Sequence, residues 1–118
     1  MSAPETEAKN IVVWEIESTF PQLTDPLKTA LREVVDPEIG MDIIQLGLVR
    51  NVAIDDQKAT ITMILTTPFC PYGPAMLEMT RQRAEKALTM PTTIKMGTEM
   101  WDFSYMEDGA GADWGLYY

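Results

Sequence analysis

Residues 59–66 alternate with a period of two: Ala59, Ile61, Met63 and Leu65 face one way, and Thr60, Thr62 and Thr66 the other. Successive side chains of an extended chain leave on opposite faces, so this pattern predicts a strand with one face on a core and a threonine-rich face away from it. The polar tetrad Asp55-Asp56-Gln57-Lys58 precedes it. Before that tetrad, residues 48–55 alternate less cleanly, with Leu48, Val52 and Ile54 on one side and Arg50 as the exception. Two strands about a short polar turn predict an antiparallel hairpin, covered by helices on one face.

The helices are expected on either side of this hairpin. Asp25-Pro26 offers a side-chain acceptor followed by proline, a helix start. From there Leu27, Ala30, Leu31, Val34 and Val35 form one apolar stripe. Pro21 is read as a break before this helix, and Pro37 ends it near Val35 by disfavouring α geometry at Asp36. A second helix is predicted over 74–88, with Leu77, Ala84, Ala87 and Leu88 inward and Glu78, Gln82, Arg83, Glu85 and Lys86 outward. Arg81 and Glu85 stand at i,i+4 spacing on its solvated face. Pro91 ends that segment, and 92–101 reads as a third strand with Ile94, Met96 and Met100 on one face. The nine methionines fall mostly at core-like positions and are read as packing side chains, not metal ligands. The fold class is therefore a two-layer α/β (α+β) domain with the order helix-strand-strand-helix-strand. The 118 residues suffice for one such domain. It is placed at 24–102, between an N-terminal tail (1–23) and an acidic, aromatic C-terminal tail (103–118). Within the first tail, Ile11-Val12-Val13-Trp14-Glu15-Ile16 is either a short strand or an arm that docks on the body.

Charge and residue counts narrow the chemistry. A net charge of −9, from 9 basic against 18 acidic residues, argues against nucleic acid, whose phosphates need a basic surface. No apolar run approaches the ~20 residues of a membrane span. The first ten residues are polar and acidic, unlike a signal peptide, and one cysteine excludes an internal disulfide, so the cytoplasm is the expected compartment. With no histidine, a Cys-His nucleophile pair, a His-ligated zinc site and an imidazole base are excluded within one chain. The Gly-x-Gly at 109–111 has neither the flanking strand and helix nor the lysine of a phosphate loop, and it is set aside.

The lone thiol, Cys70, stands in Thr66-Thr67-Pro68-Phe69-Cys70-Pro71-Tyr72-Gly73-Pro74, between the alternating strand and the second helix. Three prolines in seven residues stiffen this connection. If Pro71 or Pro74 opens the helix, Cys70 lies at or just before an N-terminus, where free N–H groups and the macrodipole favour the thiolate. A lone cysteine is also commonly a small buried hydrophobe, and from its setting alone both readings stand. The acidic loop 36–42 is likewise open to two readings, a helix-ending turn or a source of carboxylates beside Cys70.

Taken in order, Asp36-Pro37-Glu38, Leu46-Gly47-Leu48-Val49 and Thr66-Thr67-Pro68-Phe69-Cys70-Pro71 resemble the motifs of the metal–sulfur cluster biosynthetic family that includes SufT and the PaaD-like proteins. The resemblance covers roughly 24–101. It implies a domain like the C-terminal scaffold domain of NifU and a role in assembling or delivering iron–sulfur clusters. Carried over by position, Asp36 and Glu38 match the family's acidic motif, Thr67 its loop threonine and Cys70 its reactive cysteine, with Thr66 beside them shaping the site. Many members have a proline- and tryptophan-containing motif after the third strand. Trp101-Asp102-Phe103-Ser104 matches it poorly, so no function is carried onto it.

Iron–sulfur clusters commonly take four cysteine ligands, so one thiol cannot hold a cluster alone. The expected cargo is an iron–sulfur cluster or iron, held transiently, with Cys70 as the metal or sulfur ligand and the rest of the ligand set shared across an interface. A homodimer, other assembly proteins and client apoproteins are the expected partners. Such a chain is an assembly or carrier protein rather than an enzyme. Two alternatives stay open: a thiol redox enzyme, since Thr67-Pro68-Phe69-Cys70 fits the peroxiredoxin-like Thr-x-x-Cys, and a non-catalytic adaptor with a structural Cys70.

Overall fold

The computed structural model describes residues 13–67 and 71–106. The order of its main elements is the predicted one: helix, hairpin, helix, strand. A short helix α1 (Ile16–Thr19) leads into α2 (Pro21–Leu31), then β1 (Val49–Asp55), β2 (Lys58–Met63), α3 (Gly73–Leu88), β3 (Thr92–Met96) and a 3₁₀ turn at Phe103–Tyr105. The sheet order is β1-β2-β3, antiparallel across the first pair and parallel across the second. The parallel step requires a crossover, and α3 supplies it.

One sheet face carries Val52 and Ile54 of β1, Ala59, Ile61 and Met63 of β2, and Thr92 and Ile94 of β3, in register. That face packs with Leu27, Leu31 and Val34 from α2 and its exit, and with Met76, Ala84 and Leu88 of α3. The opposite face presents Thr60, Thr93 and Lys95 to solvent, as the threonine alternation predicts. The hairpin turn is the two residues Asp56 and Gln57, at φ 53° and 61°. Positive φ at both central positions is the turn whose twist matches that of paired strands.

Several boundaries differ from the expectation. The first helix starts at Pro21, with Phe20 as N-cap, and not at Asp25-Pro26; Pro26 lies inside it. Proline at the first helical position gives up an N–H that would have no intrahelical partner, so Pro21 opens the helix instead of breaking it. Pro26 forfeits one bond to the Gln22 carbonyl, and burial of Thr24, Leu27 and Leu31 on one face outweighs this local loss. The helix ends at Leu31 and not Val35. Glu33 N–H donates to Ala30 O and Val34 N–H to Leu31 O, tighter i−3 bonds that turn the chain. Val34 is buried, but Val35 is 44% exposed and pairs with Asp42 as an isolated bridge.

The third strand stops at Met96 and not Trp101. Its partner β2 ends at Met63, whose carbonyl accepts the Gly97 N–H at 2.8 Å, and the ladder has nothing further to pair with. Met96 and Met100, expected on one face with Ile94, are both exposed. Among the described methionines Met41, Met63, Met76 and Met106 are buried, while Met79 is exposed as well, so packing accounts for only part of the set. In α3 the buried positions are Gly73 at its start and then Met76, Thr80, Ala84 and Leu88, four apart, with Leu77 and Ala87 only half-buried. The buried Thr80 hydroxyl donates to Met76 O at 2.8 Å.

Ile11 and Val12 lie outside the described residues. From Val13 onward this segment forms a turn and α1, with Trp14 and Ile16 in the core. The Trp14 indole donates from Nε1 to Val49 O at 3.1 Å, and Lys28 Nζ stands 5.3 Å over its ring. Among the described residues no helix is long and apolar enough to cross a membrane.

Candidate functional site

Strand directions gather three connections at one end of the sheet. β2 and β3 run parallel and both finish there, and β1, antiparallel to β2, begins there. The segments 32–48, 64–67 and 97–106 therefore meet at the carboxyl ends of the parallel strands, the usual place for sites in open α/β sheets. Asp36 and Glu38 belong to the first segment, and Thr66 and Thr67 to the second. Cys70 follows the second in sequence and lies outside the described residues.

The first segment is closed on itself. Ile43 N–H donates to Val34 O at 3.0 Å and Asp36 N–H to Met41 O at 2.9 Å. Asp36 is 2% exposed, and its Oδ1 accepts the Glu38 N–H at 2.9 Å. Its carbonyl accepts Ile39 N–H and Gly40 N–H, and Gly40 completes the reversal at φ +83°. One of the two predicted carboxylates thus braces its own loop, while Glu38 is exposed. Among the described residues no group of three or more His, Cys, Asp or Glu side chains is placed to hold a metal ion.

A single helical turn follows, capped at both ends. Asp42 Oδ1 accepts from Ile44 N–H at 2.9 Å and Gln45 N–H at 2.8 Å, and Gln45 Oε1 accepts the Asp42 N–H at 3.0 Å. This reciprocal pairing is a capping box with Asp at its head. The turn ends on Gly47 at φ +73°, with Leu48 N–H donating to Ile43 O and Gly47 N–H to Ile44 O. These two bonds make a Schellman closure. Arg32 Nη1 lies 3.8 Å from Asp42 Oδ1. The turn is tied to the second segment through the Ile64 N–H, which donates to Leu48 O at 2.8 Å.

Thr66 and Thr67 are half-buried in bends after β2. The helix beyond opens at Gly73, with Tyr72 as N-cap and Pro74 at the second position; Met76 N–H donates to Tyr72 O at 2.9 Å. Cys70 therefore precedes the first helical residue by three positions in the chain. The strand-loop-helix context read from the sequence is present on both sides of it.

Sequence reasoning missed the third segment and its anchor. Trp101 Nε1 donates to Leu46 O at 2.7 Å, and Tyr105 comes so close to Gly47 that a Cβ there would stand 2.0 Å from its carbonyl oxygen. Arg50 explains its own irregular place in the alternation. The register shifts between Val49 and Asn51, making Arg50 the extra residue of a β-bulge that re-aims its side chain. Its guanidinium is buried, 4.0 Å from the centre of the Tyr105 ring, with Nη1 donating to Gly47 O at 3.0 Å and Nε 3.4 Å from Glu99 Oε2. A signal for the turn was available, Asp42-x-x-Gln45, and Arg50 was visibly out of pattern. The contacts to Trp101 and Tyr105, some fifty residues distant, had no local signal.

The pKa shifts that stand out lie elsewhere, on the solvated face of α3. Hydrogen bonds from Arg81, then from Gln82, hold the Glu78 carboxyl down to about 2. Arg81 is raised in return, first by its bond to Glu78.

Comparison with known proteins gives the arrangement its context. The model of the family described as "Iron-sulfur cluster assembly protein" matches residues 24–96. The Fe-S protein maturation auxiliary factor YitW of Bacillus subtilis is 46% identical over 57 residues, 48% of this chain and 56% of that protein. An iron-sulfur cluster carrier protein of Synechocystis is 38% identical over 74 residues, 62% of this chain and 20% of that protein. The matches thus span about half of the first relative and a fifth of the second. The crystal structure of a domain of unknown function, DUF59, from Bacillus anthracis superposes with a TM-score of 0.72 at 26% identity, covering 82% of this chain and 95% of that one. The family match runs from within α2 through the end of β3 and includes the acidic loop, the capped turn and the Cys70 connection. This chain belongs to the iron–sulfur cluster assembly protein family.

Proposed function

We propose that the chain is an assembly or carrier factor for iron–sulfur clusters, with Cys70 as the ligand for cluster iron or for sulfur in transit. The observation that carries this reading is the family match across 24–96, which encloses the one thiol of the chain in its strand-loop-helix connection. The donor set fits cargo better than a resident cofactor. Clusters commonly take four thiolates, and one is supplied here, so the remaining ligands come from a second copy, a small thiol or a client protein. An incomplete ligand set favours hand-over. Asp36 shapes its loop, whereas Glu38, exposed on the neighbouring connection, is free to assist cargo or partner; Thr66 and Thr67 set the approach to Cys70. The partners are other assembly proteins and client apoproteins, and the compartment is the cytoplasm. Residues 24–102 carry the cluster-assembly motifs of the domain, and Trp14, Ile16 and Met106 from either side complete its core.

Anaerobic reconstitution with iron and sulfide tests the reading. Wild type is expected to gain the charge-transfer absorption of bound cluster or iron, and Cys70→Ser to lose it. Equal binding by the two would overturn the role of Cys70. Rapid stoichiometric oxidation of Cys70 by dilute peroxide, without metal binding, would place the chain with the thiol redox enzymes instead.

A further inference from the structure

The buried guanidinium of Arg50 is used by nothing in the proposed chemistry, yet it contacts two of the three segments at the site end of the sheet. Its bulge position removes it from the ladder, and its Nη1 then holds the carbonyl of Gly47 in the capped turn. Its flat face covers Tyr105, and its Nε reaches Glu99; both belong to the strap 97–106. Across the same junction Trp101 donates to Leu46 O. The strap leaves the sheet at Gly97 and is buried again at Met106, while Thr98, Glu99 and Met100 between them are exposed. The exposed stretch 98–100 and the partly exposed Arg50–Glu99 ion pair mark a segment that opens at lower free energy than the sheet it leaves, with Trp101, Tyr105 and Met106 as its apolar anchors.

We infer that Arg50 is a positioning residue that latches the strap 97–106 onto the 42–47 turn, and that the strap opens as a unit, separately from the sheet, when this latch is weakened. Arginine is needed because one planar group must stack on a ring while its edge serves an oxygen on each side, which a lysine ammonium cannot do. The Glu99 side chain is 40% exposed, so its share of the latch is open to screening by salt. The inference rests on the geometry of this end of the sheet and not on what Cys70 binds, so it stands or falls apart from the reconstitution experiment.

The test is native-state hydrogen exchange on the full chain, followed by NMR at the Trp101 indole N–H and at the β2 amides of Ile61 and Met63. In Arg50→Lys the Trp101 indole is expected to exchange about tenfold faster with the β2 amides unchanged. In wild type, raising sodium chloride from about 0.05 to about 0.5 M should speed the indole selectively, and Glu99→Gln should abolish that salt response. Acceleration of the β2 amides by the same factor would show that Arg50 contributes only to global stability and would overturn the latch. So would an indole whose exchange ignores Arg50→Lys. Should Arg50→Lys fail to fold, the salt response of wild type against Glu99→Gln decides alone, and its absence refutes the inference.

Discussion

Replacing Gly47 by alanine should be among the most damaging single-methyl additions in this protein, and its cost can be worked from two observations. At φ +73° a Cβ costs about 1–2 kcal/mol in the backbone alone. The same atom would stand 2.0 Å from the Tyr105 carbonyl oxygen and 2.7 Å from its carbonyl carbon. Ordinary contact begins near 3.4 Å, so backbone, and not a rotatable side-chain tip, must move by more than an ångström. Overpacking of this kind costs about 1–3 kcal/mol. The movement also strains the Trp101 bond to Leu46 O and the Arg50 bond to Gly47 O, each worth about 1 kcal/mol. With both bonds lost the expected cost is about 4–7 kcal/mol, a large share of the roughly 5–15 kcal/mol that holds a domain together. Gly40→Ala is the control. Gly40 has φ +83° with nothing within 4 Å of its Cβ position, so only the backbone cost of about 1–2 kcal/mol applies. Urea unfolding of wild type and both variants, followed by far-ultraviolet circular dichroism, gives the three free energies. If the two variants lose the same amount, the close approach of Tyr105 to the turn is refuted.

Trp14→Ala removes a buried indole and its bond to Val49 O and should cost about 3–5 kcal/mol in the same urea assay; a loss below 1 kcal/mol would show that the segment before α2 is not part of the core. The Thr24 hydroxyl is buried without a hydrogen-bond partner among the described residues, so Thr24→Val should stabilise by about 1 kcal/mol, and destabilisation would mean that the hydroxyl is satisfied. Because the Glu78 pKa is depressed in the folded protein, its pairing with Arg81 stabilises fully above the unfolded value of about 4.3 and is lost as pH falls toward 2. The stability difference between wild type and Glu78→Gln should therefore shrink from pH 7 to pH 2, and at high salt; a difference that persists at pH 2 contradicts the pairing.

Much of the framework follows from local pattern. The threonine alternation over 59–63 and the Asp56-Gln57 turn appear in the structure where periodicity and turn chemistry put them, while the strand expected to reach Thr66 stops at Met63. Local preference failed where two local signals competed. Pro21 and Pro26 are both acceptable helix openers, and only the burial of Thr24, Leu27 and Leu31 against the sheet selects the earlier one. The third strand carried an apolar pattern past Met96, but strand length is set by the partner, and β2 ends at Met63.

The candidate site divides along the same line. Its motifs were legible, since Asp36-Pro37-Glu38, Leu46-Gly47-Leu48-Val49 and the Cys70 connection are each local words of the sequence. The fate of each carboxylate was not. Asp36 turned inward to accept its own loop's N–H and Glu38 stayed in solvent, a distinction set by how the loop closes through Met41 and Ile43. The clamp of Arg50, Trp101 and Tyr105 on the turn before β1 joins residues some fifty positions apart, and no periodicity encodes such a contact. The sequence by itself determined the element order, the polar and apolar faces of the hairpin and the residue types available for chemistry, because these depend on side-chain period and turn preference. Only the tertiary structure decided which end of the sheet collects the loops and what braces them, because strand direction and close backbone approach are properties of the packed chain.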